Sequence, residues 1–144
     1  MKIPSLLVIV ASMSFIAIAM FVGQTVIGQQ TTELESRVDL KKLLTQRRDV
    51  LVKRVEALEI QNSEGQTTFG VVAMARDELF KAELELVSTK KDRLKILQKR
   101  VENMRRYEES EKLRHRSGVG PLDSMLLATA ARLQAEIDLS REKE

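Results

Sequence analysis

The sequence predicts an all-α protein: two helix-loop-helix repeats forming antiparallel helical hairpins, either coiled-coil-like or a four-helix array, preceded by an N-terminal hydrophobic signal or anchor helix. The first observation is an internal repeat, since the segment that begins at Gly65 aligns with the one that begins at Gly118 at a constant offset of 53 residues. The second is that apolar residues recur three or four positions apart. The third is a composition with 3% aromatic residues and no cysteine, so the core must be aliphatic, as in helix-on-helix packing. Units repeat in this way when one copy cannot bury its apolar face alone.

The N-terminal segment predicts export. Residues 3–22 are an almost uninterrupted apolar run preceded by Lys2. Its length lies between the roughly 7–15 apolar residues of a signal peptide and the about 20 of a membrane-spanning helix. Residues 1–28 are therefore either a cleaved signal peptide, with a cut before Gln29 or after Ala19, or they contain an anchor at residues 3–22 in the inner membrane. The remaining alternative is a buried helix of a cytoplasmic protein. In the first two cases the rest of the chain is periplasmic or lies in the cell envelope.

The exported part is predicted to be one helical-hairpin domain over residues 29–141, with a polar tail at residues 142–144. Repeat one spans about 33–87 and repeat two about 88–140. Loss of residues 1–28 removes one of the 24 basic residues, leaving 23 against 21 acidic ones. Because this charge is nearly balanced and aromatic platforms for bases are missing, we expect no nucleic acid partner.

The first two helices are predicted from capping and periodicity. Thr32 with Glu35 forms a capping box at the start of the first helix, which should end near Asn62 because Gly65 can take a left-handed conformation. One apolar face of that helix is predicted at Leu40, Leu44, Leu51, Val55 and Leu58. In the second helix, spacings of three and four predict a coiled-coil-like seam. The full helix-packing seam comprises Val72, Ala75, Leu79, Ala82 and Leu86, and in the fourth helix Leu122, Leu126, Leu133 and Ile137.

The third helix is predicted to start after a break at Ser88, with Thr89 as its N-cap; without that break, residues 68–114 would form one long bent helix. Its polar end, residues 105–117, is expected to fray. One face is strongly basic, and it is a candidate surface for an anionic partner or, alternatively, a face that pairs with acidic residues of neighbouring helices. This face comprises Lys90, Lys91, Arg93, Lys95, Lys99 and Arg100.

The fourth helix is predicted to begin at Pro121, because proline is favoured at the first helical position. The sequence contains neither a Gly-rich phosphate loop nor a serine nucleophile motif. The single histidine, His115, is expected in an exposed loop with no second metal-ligating residue at a suitable spacing. Glu83 and Glu136 occupy equivalent repeat positions, which indicates a structural ion pair or a solvated face more than a catalytic pair. We therefore predict that the protein is not an enzyme and has no cofactor, metal or small-molecule substrate.

The helix that follows Gly65 and Thr68 is spaced by alanines and ends in the string from Leu79 to Leu86, Leu-Phe-Lys-Ala-Glu-Leu-Glu-Leu. This pattern resembles the helical repeat of TolC-like outer-membrane efflux proteins, and the second copy, from Gly118 to Leu139, resembles it as well. In that family the pattern lies on long antiparallel helices that form a periplasmic tunnel in a trimer. The resemblance implies the helical-hairpin architecture, an envelope location and a link to efflux.

Together these features predict an exported, non-enzymatic scaffold or interaction protein of the cell envelope. Its partners would be proteins, either further copies of itself or an envelope or efflux component, with membrane attachment through residues 3–22 if they are retained. The alternative is a peripheral module that binds anionic membranes or polyanions through the basic third helix.

Overall fold

The computed structural model describes residues 37–144. The predicted signal or anchor segment, its cleavage sites and the Thr32 capping box lie outside these residues. By its contacts the chain divides into residues 1–42 and residues 43–144.

The described residues form four helices and no strand, so the all-α prediction is confirmed. Helix α1 occupies residues 37–63 of the described range. Helix α2 spans Phe69–Leu86, α3 spans Lys90–Arg116 and α4 spans Leu122–Lys143. No helix within residues 37–144 has the length and apolar character needed to cross a membrane.

The turn between α1 and α2 and the turn between α3 and α4 have the same geometry. Gly65 and Gly118 both have a φ of 72°, in the left-handed region where a side chain would be strained. Three backbone hydrogen bonds recur 53 positions apart, at distances of 2.8–3.1 Å. They are Glu64 N to Ile60 O, Gly65 N to Asn62 O and Gln66 N to Gln61 O in the first turn, and Ser117 N to Leu113 O, Gly118 N to His115 O and Val119 N to Arg114 O in the second.

The junction between α2 and α3 differs from these turns. Helix α2 ends at Leu86, and the Thr89 side chain accepts a hydrogen bond of 3.1 Å from the backbone N–H of Asp92 at the start of α3. The predicted break is therefore confirmed, and the single long helix is excluded. Pro121 immediately precedes α4, which begins one residue later than expected, at Leu122.

Successive helices run antiparallel. Ion pairs between α1 and α2 join Arg47 to Glu85 and Glu59 to Arg76, so partners early in one helix meet partners late in the other. Between α2 and α3, the Asn103 side chain donates to the Ala73 carbonyl at 2.7 Å. Between α3 and α4, Arg93 pairs with Glu142, and Arg132 pairs with Glu108. Among the helices α2, α3 and α4, α3 packs against both others, which do not pack against each other.

The core consists of small and aliphatic side chains. Four alanines are almost completely buried, which allows close approach of the neighbouring helix. They are Ala75 and Ala82 in α2 and the residues 53 positions later, Ala128 and Ala135 in α4. Met104 of α3 is the largest fully buried side chain together with Val72, and it packs in a cluster with Val101 and Ala135.

Helix α3 remains helical to Arg116, and the expectation that residues 105–117 fray is wrong. The reason is that two carboxylates in this segment are buried and paired. Glu108 binds Lys112 and Arg132, and Glu111 binds Arg114. The polar composition reflects an intrachain charge network, because a buried charge is tolerated when it is paired.

Candidate protein-interaction surface

The best candidate site is built from the outward faces of α1 and α4, and it becomes evident from where the predicted seam residues lie. In α2, Val72, Ala75 and Ala82 are buried, and Leu79 and Leu86 are half-buried. In α4 the four predicted seam residues Leu122, Leu126, Leu133 and Ile137 are all exposed. Within the chain, the prediction for α4 is therefore wrong.

The physical reason is that α4 has two apolar stripes. Ala128 and Ala135 are buried on the side that faces α3, with Ala131 and Leu139 packed beside them. The larger residues lie on the opposite side of the helix, since positions 122, 126, 133 and 137 are turned by about half a revolution from positions 128 and 135 at 3.6 residues per turn. The prediction followed only the stripe of larger side chains, and the buried stripe is the one made of small residues. We call the exposed stripe the α4 face: Leu122, Leu126, Ala130, Leu133 and Ile137.

Helix α1 also carries large apolar residues on its exposed side. Leu43, Val50 and Ile60 are exposed, whereas Val55 is buried. Leu43 and Val50 were not predicted from the sequence, because they lie beside the apolar stripe through Leu44 and Leu51 and not on it. The available signal was an apolar pair every seven residues, at 43–44, 50–51 and 57–58, because paired apolar residues at this spacing give a helix two adjacent apolar sides. We call Leu43 and Val50 the α1 face.

The basic residues of α3 are mostly engaged by the chain itself. Arg100 is buried and pairs with Asp77 of α2 at 2.6 Å and with Asp138 of α4 at 2.5 Å. Arg93 pairs with Glu142, and Lys95 pairs with Asp92. The Lys90 ammonium donates to the Lys143 carbonyl at 3.3 Å, and Lys91 and Lys99 are exposed. The structure thus does not present the six predicted residues as one unpaired basic face.

The ion pairs shift the acidities of the groups that they join. Burial by itself lowers the pKa of Arg100, but hydrogen bonds to Asp77 and Asp138 outweigh it and the pKa is raised. Burial by itself raises the pKa of Glu108, but hydrogen bonds with Lys112 and Thr129 and the charge of Arg132 hold it below its ordinary value. Both groups are therefore stabilised in their charged forms, as expected for charges that hold helices together.

The remaining candidate residues are placed separately from one another. His115 lies half-buried in the last turn of α3, not in an exposed loop, and its Nδ1 lies 3.1 Å from the Gly120 carbonyl, to which it can donate. Glu136 pairs with Arg105 and Arg132, and Glu83 is half-buried. Within residues 37–144 there is no group of three His, Cys, Asp or Glu side chains that could hold a metal ion.

Comparison with known proteins gives no relative. No protein-family model, no curated protein and no solved structure matches this chain. The resemblance to TolC-like proteins therefore stays a prediction from the sequence pattern.

Proposed function

We propose that this chain is an exported, non-enzymatic scaffold of a Gram-negative-type cell envelope, built from two repeated helical hairpins and acting through helix-to-helix association with protein partners. The observation that carries the proposal is the pair of apolar faces on its two outer helices. A solvent-exposed run of large apolar side chains along a helix is typical of a surface that binds another protein. The export part rests on the apolar segment at residues 3–22.

The pattern of burial also supports an interaction role. The polar groups that a reaction centre would need are here used as ion pairs between neighbouring helices, such as Arg100 with Asp77 and Arg132 with Glu108. Most of the large apolar side chains that the described part of the chain leaves exposed are on α1 and α4. A link to efflux assemblies follows only from the resemblance to TolC-like helical repeats.

The alternative function, binding of anionic membranes or polyanions through α3, has less support. Arg93, Lys95 and Arg100 are joined to carboxylates of this chain, and an anion would have to compete with those carboxylates for them. Vesicle co-sedimentation at low and high salt tests this alternative, since attraction between surface charges extends only about 10 Å at 0.1 M salt. Salt-sensitive binding to anionic vesicles would favour it over the scaffold.

Site-specific photo-cross-linking in a Gram-negative host tests the scaffold directly. A photoreactive amino acid is placed at Leu133 in the α4 face of the full chain, and a matched control carries it at Glu109, an exposed polar position of α3. We expect a covalent protein adduct from position 133 and none from position 109. Equal yields from both positions would contradict the interaction role. An alkaline phosphatase fusion at the C-terminus, active only outside the cytoplasm, tests export separately.

A further inference from the structure

We infer that the partner of the two apolar faces is a second copy of this chain. The α4 face of one copy packs against the α1 face of the next, in the arrangement that α2 and α3 have within each copy. This inference rests on the proposed function, because it names the partner of the same surfaces. It follows from comparing residues 53 positions apart, which we call repeat equivalents.

The joint between α2 and α3 is the template. Asn103 of α3 donates to the Ala73 carbonyl of α2 at 2.7 Å, and Arg100 pairs with Asp77. Farther along the same two helices, Phe80 lies in a groove with Asn103, and Ile96 lies near the end of α2. The joint therefore buries one face of α2 against one face of α3.

The α4 face is the repeat equivalent of the α2 side of this joint. Adding 53 to each position converts Phe69, Ala73, Asp77, Phe80 and Leu84 into Leu122, Leu126, Ala130, Leu133 and Ile137. Ala73 is 0% exposed, whereas its repeat equivalent Leu126 is 54% exposed. In the described residues no helix covers this face, since Leu122, Leu133 and Ile137 are exposed as well.

The α1 face is in the same way the repeat equivalent of the α3 side. Ile96 is 8% exposed, whereas its equivalent Leu43 is 62% exposed. Asn103 is 5% exposed, whereas Val50 is 65% exposed. Each chain thus carries both halves of the internal joint a second time, one half on each outer helix, and both are uncovered.

The substitutions between the repeats make the two uncovered faces fit each other. The hydrogen-bonded pair Ala73 and Asn103 is replaced by Leu126 and Val50, so a polar contact becomes an apolar one. The buried charge at Asp77 is replaced by Ala130. Both changes remove polar groups that would need partners, and they favour burial of apolar area between copies. Arg47, the equivalent of Arg100, keeps Glu85 of its own chain as its partner.

A second pair of substitutions adds opposite charges. Within the chain, Tyr107 approaches Gly70 so closely that a Cβ atom at Gly70 would lie 2.9 Å from the Tyr107 ring. The equivalents of these two residues are Asp123 on α4 and Arg54 on α1. In the proposed joint between copies, an acidic residue therefore faces a basic one where the internal joint has a glycine and an aromatic ring. Arg54 also pairs with Glu78 of its own chain, so Asp123 adds a second carboxylate to the same guanidinium and helps to select the register.

The contact joins two different surfaces, so it is a head-to-tail interface. Such contacts give rings where the rotation between copies closes and filaments where it does not. A symmetric pairing of one α4 face with another would leave the α1 face uncovered and would bring Asp123 near no basic residue of α1. The template inside the chain therefore favours the head-to-tail arrangement.

The test uses full-length protein in mild detergent and analytical ultracentrifugation. Leu133→Glu blocks the α4 face, and Val50→Glu blocks the α1 face; both positions are exposed, so each variant should fold, which circular dichroism checks. Leu113→Glu is the matched control, because Leu113 lies on α3 outside both faces and its exposure of 57% falls between those of Leu133 and Val50. We expect wild type and Leu113→Glu to associate with increasing concentration. The products should be either closed rings or open assemblies larger than dimers. Each face variant alone should associate at least about tenfold more weakly, because burial of one large aliphatic side chain supplies that much affinity.

The mixture of the two face variants gives the decisive result. Each variant retains the face that the other has lost, so an equimolar mixture should form heterodimers and nothing larger. A symmetric interface predicts the opposite, namely that Val50→Glu still associates through α4 and that mixing restores nothing; that result would overturn the inference. Monomeric wild type at every concentration would also overturn it. If position 133 then cross-links to a different protein in cells, the proposed scaffold stands and only the self-assembly fails.

Discussion

Arg100 and Arg47 offer the sharpest test of how this fold is held together, because they are repeat equivalents with the same kind of partner. Arg100 pairs with Asp138, and Arg47 pairs with Glu85, which is the equivalent of position 138. They differ in surroundings: the Arg100 side chain is 8% exposed and that of Arg47 is 53% exposed. We predict that Arg100→Met destabilises the protein far more than Arg47→Met.

The expected magnitudes follow from these surroundings. Loss of one partner from a buried ion pair costs about 3–5 kcal/mol, because the other charge stays buried without its counterion. Asp77 keeps Lys81 as a partner at 2.7 Å and Asp138 is partly exposed, so we place Arg100→Met at the lower end, about 3 kcal/mol. An exposed pair contributes about 0–1 kcal/mol, which sets the expected loss for Arg47→Met in the unassociated protein, because position 47 lies in the proposed joint between copies.

Urea denaturation of the full-length variants, followed by circular dichroism at 222 nm, measures both losses. With a slope of about 1–3 kcal/mol per molar urea, Arg100→Met should lower the midpoint by about 1–3 M at unchanged slope. Adding Asp77→Leu should recover much of the loss, since it removes the carboxylate left without its arginine. Equal losses for Arg100→Met and Arg47→Met, within about 0.5 kcal/mol, would refute the assignment of Arg100 as the buried link between α2 and α4.

Three further outcomes are expected. Stability should fall as the pH drops below the ordinary pKa of 4.5 for Glu108, because its pKa is lowered in the folded state and the unfolded chain therefore binds the proton first. Glu108→Gln should weaken this dependence in urea titrations at several pH values, and an unchanged dependence would contradict the pairing of Glu108. Gly118→Ala should destabilise by about 1–2 kcal/mol because of the left-handed backbone, and Gly118→Asn by less; equal losses in thermal denaturation would argue against backbone strain. Met104→Ala should cost about 2–5 kcal/mol, and a loss under about 0.5 kcal/mol would contradict its place in the core.

The helical class and the junctions were accessible from the sequence because they depend on local chemistry. Gly65 and Gly118 mark turns that need a positive φ, and Thr89 marks a helix start through its own side-chain hydrogen bond. Such features involve residues a few positions apart, so periodicity and capping rules suffice to predict them.

The assignment of faces was not accessible in the same way, since it depends on which helix lies beside which. Both sides of α4 are apolar, and only the position of α3 decides that Ala128 and Ala135 are buried while Leu126 and Leu133 are exposed. The segment that contains Glu108 was expected to fray for a related reason. Its partner Arg132 is 24 residues away, and local composition gives no indication of that contact.

Disulfide cross-linking tests the central claim, the head-to-tail joint between copies, most directly, because the chain contains no cysteine of its own. Full-length Leu126→Cys and Val50→Cys proteins, which carry the equivalents of the contacting pair Ala73 and Asn103, are mixed and oxidised, and the products are separated on a non-reducing gel. We predict that the mixed dimer of the two variants exceeds either homodimer, and that Leu113→Cys mixed with Val50→Cys gives only background. A predominance of Leu126→Cys homodimers, or a mixed yield no higher than that control, would contradict the account.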